Sequence, residues 1–482
     1  MKHIVPLQNI NVGMSEEERS GKEHHHLDGT WVVDIEEAIK ASGKETVAAA
    51  AVQQRKTGSC IYRVPQRMRS LGKEAYSPQV VSFGPLHHGA AALQPMEEHK
   101  RRALLHFLRR ACRPLRYFVA AIEGVAEQLE GMYDAEAMPA EWRRVEGRLV
   151  DSASFVRLMV MDGCFMLEVV RAATARAHND YEKDDPVFGW HGIVNTMPYV
   201  RRDMLLLENQ LPLLVLHKLV TVESGQPDPG GHTINKHVLR FLSPSTTTEF
   251  IENTVLKGLH PLDLFRWSRV YEETTEVVTT QASAKGGVMD DDGVPSRPRC
   301  DISAMALSDA GIHLKKLQSK KIGDIRLEGR VLYLRTLTID ELTEPIFANL
   351  IAFERVHVGL DWPFRSTSYL FFMSKLIKSA EDVEYLCAKG IIMNALGDDK
   401  KAAEVLSHLS ADLHVYPPKD GNRLATVHMQ MEQHCQKKWN IWRTHIARKY
   451  FRNPWAPFSL AGSVFFLSIT VASNIHNVLR HR

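Results

Sequence analysis

The chain of 482 residues is 44% apolar and 24% charged, which excludes a wholly disordered, collagenous or polytopic membrane protein. Sixty Lys and Arg against 57 Asp and Glu leave a formal charge of +3, without the concentrated basic surplus of a nucleic-acid binder. The six cysteines, Cys60, Cys112, Cys164, Cys300, Cys387 and Cys435, stand far apart with no CxxC pair and read as mostly free thiols in a reducing compartment.

Residues 1–55 read as a disordered N-terminal segment. Met1 to Ser20 carries no apolar run of the kind a secretory signal needs, and one amphipathic helix fits Val32 to Ala41. Neighbouring side chains on a flexible strand do not converge as preorganised ligands, so His24-His25-His26 is not assigned a metal. From 56 to 452 the pattern is that of one mainly helical body. The first strong helix covers Met96 to Cys112, with Ala103, Leu104, Phe107, Leu108 and Ala111 opposite Lys100, Arg101, Arg102, Arg109 and Arg110. Its basic side is read as a solvated face rather than a phosphate or lipid-headgroup site. Further helices are predicted over Leu115 to Met132, Ala153 to Ala173 and Val200 to Val222. A β-hairpin turning at Gly329 joins Ile322 to Leu327 with Arg330 to Leu337. Thr343 to Val356 and Tyr369 to Ile377 follow as helices; Ser379 caps one running to Leu396, and Gly397-Asp398 ends it and caps the next, through Leu413. The acidic His178 to Pro186 stretch, Gly225 to Gly231 and an insertion at about 274–300 read as loops and as the best partner surfaces.

At the C-terminus, residues 453–479 contain no Asp, Glu, Lys or Arg, and Trp455 to Ile475 is mostly apolar. That length predicts a single transmembrane helix. Six cations upstream, from Lys437 to Arg452, against Arg480 and Arg482 downstream, predict a cytosolic body and a tail-anchored protein in the plasma membrane or endoplasmic reticulum. The alternative is an amphipathic helix buried against the body. The fold class expected is therefore mainly α, with a large helical body, a small β-hairpin and one C-terminal transmembrane helix.

Two groups of polar residues stand out as candidate sites. His87-His88, followed by Glu97, Glu98 and His99, lacks the spacing of a HExxH zinc helix; Gly84, Pro85 and Gly89 are read as a turn that an imidazole N–H ties to the next helix. Asp162 falls on the apolar stripe Phe155, Leu158, Met159, Phe165, Met166 and Val169, and Glu208-Asn209-Gln210 is enclosed by leucines. These are read as a buried network compensating the donor that Pro212 removes from the carbonyl of Glu208, completed by Arg201 or Arg202. No nucleophile elbow, phosphate loop or metal motif accompanies them, so no catalytic, cofactor or metal residue is assigned.

Four segments in order resemble the plant domain of unknown function 247 family, also catalogued as uncharacterised protein family 0481. They are Ile61 to Pro65 with VVSFGPLHHG (Val80 to Gly89) and Met96 to Lys100; Met161 to Phe165 with RRDMLLLENQLP (Arg201 to Pro212); Ser303-Ala304, Gly311-Ile312 and the string Asn349 to Glu354; and Asn453-Pro454-Trp455. The resemblance implies a mostly helical, membrane-associated plant protein without established enzymatic activity, and some grass members look like self-incompatibility determinants. The reading is thus an interaction or recognition protein, presenting a surface to an unidentified protein at a membrane, with no nucleic-acid partner. The rivals are an uncharacterised enzyme built on the buried carboxylates Asp162, Asp203 and Glu208, and a soluble helical scaffold. The LLLENQLP and NLIAFE strings, with Asn349 and Glu354, are expected to be helical and to hold the frame.

Overall fold

The computed structural model describes residues 59–70, 72–145, 148–149, 151–174, 181–226, 232–244, 258–270, 302–318, 324–357, 365–411, 413, 423–437 and 456–480, all within a unit running from Gly58 to Arg482. The expected helix at Val32 to Ala41, the histidine triplet, Cys300, the insertion at 274–300 and most of Gly225 to Gly231 lie outside the described residues. The five other cysteines form no disulfide.

Helices α1 (Gln94–Ala111), α2 (Leu115–Glu123), α3 (Ala126–Gly131) and α4 (Ser152–Thr174) open the body. The single helix expected from Leu115 to Met132 breaks because Val125, at φ −127°, leaves the helical region after Gly124. The central helix α4 is buried on almost every face from Phe155 to Val170, so its periodicity is weak and its length is the better signal. The helices α1 and α2 pack on it together with α6 (Leu213–Ser224) and α7 (His232–Leu242). At Gly163 the approach of α6 is so close that a Cβ would meet Leu219 at 2.6 Å and Val215 at 2.7 Å.

The helix expected from Val200 to Val222 is two. Helix α5 (Met197–Asp203) ends, Met204 to Pro212 turns without helix, and α6 begins after Pro212, which stands at its N-cap. Pro212 therefore starts a helix instead of interrupting one, and the LLLENQLP string is a buried turn rather than a stretch of helix. The side chains of Glu208, Asn209 and Gln210 are spent on buried backbone groups of other segments and of the turn itself, which is incompatible with a regular solvent-facing polar side.

The second half holds α8 (Pro261–Val270), α9 (Ala304–Asp309), α10 (Thr343–His357), α11 (Arg365–Leu376), α12 (Ala380–Ala388), α13 (Asp399–Ser410) and α14 (Arg423–Cys435). Three strands form a small mixed sheet, β1 (His313–Leu317) parallel to β3 (Val331–Arg335), and β2 (Arg326–Glu328) antiparallel to it across the Gly329 turn. The hairpin is where the sequence placed it. A parallel pair, β4 (Leu337–Ile339) with β5 (Ile392–Asn394), was not anticipated. Strand β5 also explains why α12 stops at Ala388 and not at Leu396: Gly390 takes φ +67°, and the chain leaves the helix to pair with β4. The caps hold as expected, with Ser379 accepting the Asp382 N–H and Asp398 those of Lys400 and Lys401.

The C-terminal segment is α15 (Ala456–Arg480), and here the expectation of a membrane span fails. Among the described residues no helix is long and apolar enough to cross a membrane. The apolar run is diluted by Ser459, Ser463, Ser468, Thr470, Ser473 and Asn474, polar groups that lower hydropathy even where a hydroxyl folds back on its own helix, as Ser468 Oγ does on Val464 O at 2.8 Å. The transmembrane part of the expected fold class, and the tail-anchored localisation built on it, are therefore overturned. The buried-helix alternative is not found either, since Phe458, Phe465, Phe466 and Leu467 are between 63% and 74% exposed.

Candidate functional site

Between Ser59 and Pro85 the chain forms a strap with little regular structure: irregular backbone, a short helix over Gln66–Arg69, a 3-10 turn over Lys73–Tyr76, and irregular backbone again. Much of it is buried, so its backbone N–H groups need partners. Side chains supply them. Asp203, at the end of α5, accepts from the N–H groups of Gln79, Val80 and Val81 at 2.7 to 3.1 Å. Asn209 accepts from Phe83 N–H at 2.8 Å and donates to the carbonyls of Val81 and Asp203. Asp162, in mid-α4, accepts from Gly84 N–H at 2.8 Å. Glu208 accepts from Val64 N–H at 2.6 Å. Asn349 of α10 donates to Ala75 O and accepts from Leu207 N–H, both at 2.8 Å, so the strap, the 204–212 turn and α10 are joined at one amide.

Each carboxylate also meets a cation. Lys100 is fully buried and its ammonium lies 2.7 Å from Asp162 Oδ1, Ser82 O and Glu97 Oε1. Arg202 reaches Asp203 at 2.8 Å and the carbonyls of Glu74 and Ser77. Arg69 pairs with Glu208. Burial pushes the Asp162 carboxyl group up from its ordinary range, opposed by Lys100 and the Gly84 N–H; burial does the same at Asp203, opposed by the three strap N–H groups and Arg202. Arg201 is outside this network, donating to Phe241 O at 2.7 Å and stacking on that ring.

Gln210 closes the turn from inside. Its amide N–H2 donates to Met204 O and Leu206 O, and its oxygen accepts Leu262 N–H and faces His260 Nδ1 at 3.0 Å. His260 is wholly buried, and burial lowers its pKa to about 4. Gly84 is needed for its backbone: at φ +68° a Cβ would meet Gln210 O at 2.7 Å and Tyr133 Oη at 2.8 Å. The buried Pro85 continues the bend. Glu354 does a different task, accepting the N–H groups of Ser366 and Thr367 at 2.9 Å and so capping the start of α11.

The histidines differ from expectation. His87 points Nε2 towards Glu208 Oε2 at 3.6 Å, too long for a hydrogen bond, and burial lowers its pKa. It does not tie the turn to α1. His88 packs at a tilt against Trp142, with ring centroids 5.5 Å apart and planes at 55°. Among the described residues no group of His, Cys, Asp and Glu is arranged to hold a metal. The acidic loop is also more fixed than expected: Asp185 is buried against Arg102 and accepts the N–H groups of Val187 and Phe188, while Tyr181 donates to Glu168, itself paired with Arg110.

A family profile described as a plant protein of unknown function, DUF247, matches residues 61–469, a span that takes in the strap from Ile61 onward, the turn and α10. The chain belongs to the DUF247 family. It is 27% identical over 446 residues to UPF0481 protein At3g47200 of Arabidopsis thaliana, covering 88% of this chain and 87% of that relative. It is 20% identical over 535 residues to the Putative UPF0481 protein At3g02645 of the same plant, covering 93% and 95%. No solved structure matches.

The motifs of this DUF247 chain thus meet in space, where their side chains clasp the strap. Asp162, Asp203 and Glu208 hold different points of the strap, at Gly84, at 79–81 and at Val64. A cavity of about 40 Å³ between the strap, α10 and α13 is lined by Tyr76, Glu344, Arg355 and His408 among others, and contains none of those three carboxylates. The sequence reading missed Lys100, which it placed on a solvated face. The signal was present, because Met96, Lys100, Ala103 and Phe107 share one helical stripe. Arg69, Tyr133 and His260 gave no comparable signal, since the oxygen atoms of Glu208, Gln210 and Cys60 that they reach lie 77 residues or more away along the chain.

Proposed function

We propose that this DUF247 protein is a non-catalytic interaction protein, a rigid helical frame that presents its surface to another protein. One observation carries the reading. The buried carboxylates are committed to the strap: Asp162 and Asp203 accept from its N–H groups and from Lys100 and Arg202 on both of their oxygens, and Glu208 accepts from Val64 N–H and Arg69 through Oε1, which supports a structural role for them over an acid/base one. Recognition of the self-incompatibility type is one form such an interaction takes, and it belongs to this proposal.

The test pairs two measurements on the full chain. Proximity labelling in its own plant tissue should return a recurrent protein partner, and Asp162→Asn should lower the melting temperature without removing any turnover. A turnover lost in Asp162→Asn at unchanged melting temperature would replace this reading with an enzyme.

A further inference from the structure

Between Glu98 and Glu123 the chain has no carboxylate but carries Lys100, Arg101, Arg102, Arg109, Arg110, Arg113 and Arg116. The structure divides these seven cations into two groups. Lys100, Arg102 and Arg110 turn inward and end on Asp162, Asp185 and Glu168. Arg101, Arg109, Arg113 and Arg116 are exposed and meet no carboxylate among the described residues. They are interleaved with apolar side chains that are also out in solvent: Leu105 is 50% exposed, Leu115 41% and Tyr117 51%. Arg101, Leu105 and Arg109 stand one above another at i, i+4 and i+8 on α1, a row of about 12 Å. The chain then turns at Cys112, which takes φ 49°, and α2 begins at Leu115 with Arg116 stacked on Tyr117.

We propose that this corner of α1 and α2 is a docking surface for an acidic protein segment bearing apolar anchors. The proposal rests on the interaction reading above and names the chemistry of the partner. Charge complementarity selects the occupant: four guanidinium groups, planar donors suited to bidentate contact with carboxylates, stand without a counter-charge among the described residues. The interleaved Leu105, Leu115 and Tyr117 select protein over nucleic acid, because a phosphate backbone offers nothing to aliphatic side chains, whereas Leu or Phe on an acidic peptide does. The basic face of α1 was read from the sequence as simply solvated. In that reading Leu105, Leu115 and Tyr117 stay in water, whereas the apolar side chains of a docked segment would cover them.

The experiment uses the full chain and a fluorescent synthetic peptide of Glu, Leu and Tyr, about 12 residues long and so reaching roughly 40 Å when extended. Its Gln-for-Glu counterpart is the control. Anisotropy should show binding that weakens with added salt, falls at least about tenfold for the Gln peptide, and falls similarly for the double variant Arg109→Glu/Arg116→Glu. Both arginines are exposed, so the variant should melt like the parent; if it does not, Arg109→Gln/Arg116→Gln replaces it and the same loss is expected. Peptide binding that is absent, or equal in the parent and the variants, overturns the proposal. So does preferential binding of duplex DNA, or of phosphatidylserine vesicles, that the same variants abolish. If proximity-labelled partners persist in the charge-reversed chain, this surface is wrong while the interaction reading stands; a turnover lost in Asp162→Asn at unchanged melting would remove both.

Discussion

Removing the ammonium of Lys100 should be among the most damaging single changes in this protein. Lys100→Met keeps the length and apolar stem of the side chain but takes away the charge that lies 2.7 Å from Asp162. Asp162 would then keep one neutral donor, the Gly84 N–H at 2.8 Å, in a fully buried position. The Ser82 carbonyl would lose its 2.7 Å donor as well. Breaking one partner of a buried pair costs about 3–5 kcal/mol, since the remaining charge is left uncompensated. For a unit running from Gly58 to Arg482, that is a fall in melting temperature of about 3–6 °C, because the unfolding entropy of a chain this long dilutes each kilocalorie. The double variant Lys100→Met/Asp162→Asn should recover part of the loss: the introduced amide keeps an acceptor for Gly84 N–H and carries no charge. A coupling of about 1–3 kcal/mol is therefore expected in a double-mutant cycle from urea melts. Additive single effects, or a Lys100→Met protein as stable as the parent, would refute the claim that this pair is a desolvated element of the clasp.

Gly84→Ala should lower stability by more than about 2 kcal/mol, because an L residue is strained at φ +68° and its Cβ collides with Gln210 O and Tyr133 Oη; a urea midpoint unchanged from the parent would contradict the turn geometry. His260 is held neutral, its pKa lowered by burial from 6.5 to about 4. In that window the unfolded chain binds the proton that the folded chain refuses, so this group's stabilisation is complete above pH 6.5 and is lost as pH falls towards 4, by about 3 kcal/mol in all. Urea melts of the parent and His260→Gln at pH 7, 5 and 4 should converge as the pH falls; parallel curves would sink the assignment. Truncation after Trp455 removes a helix whose described side chains from Phe458 to Asn474 are almost all exposed, so the body should melt within about 1 °C of the full chain, and a larger drop would mean that the helix is part of the core.

How far the sequence could be read depended on the distance over which each interaction acts. Local signals worked: the caps at Ser379 and Asp398 and the hairpin at Gly329 depend on neighbours within a few residues. The burial of Asp162 was also legible, from its place on an apolar helical stripe. The LLLENQLP string was misread because a run of leucines suits a helix equally well, and only the strap and α8 lying against it show that the Asn209 amide and the Gln210 oxygen are committed elsewhere. The strap was invisible for the same reason. Its regularity lies in backbone donors that meet side chains more than 70 residues away, as Gly84 meets Asp162 and Val80 meets Asp203, and backbone donors leave no mark in composition or period. The C-terminal helix was correctly located and wrongly assigned, because length and absence of charge were weighted above its six polar side chains.

The claim that buried side chains clasp an otherwise unpaired strap is tested most directly by hydrogen exchange of the amides of Gln79, Val80, Val81, Phe83 and Gly84, whose acceptors in the structure are the side chains of Asp203, Asn209 and Asp162. The account expects them to exchange as slowly as the amides in the middle of α4, and expects Asp203→Asn to speed exchange at residues 79–81. Exchange of these five amides at the rate of an open loop, with α4 still protected, would contradict it.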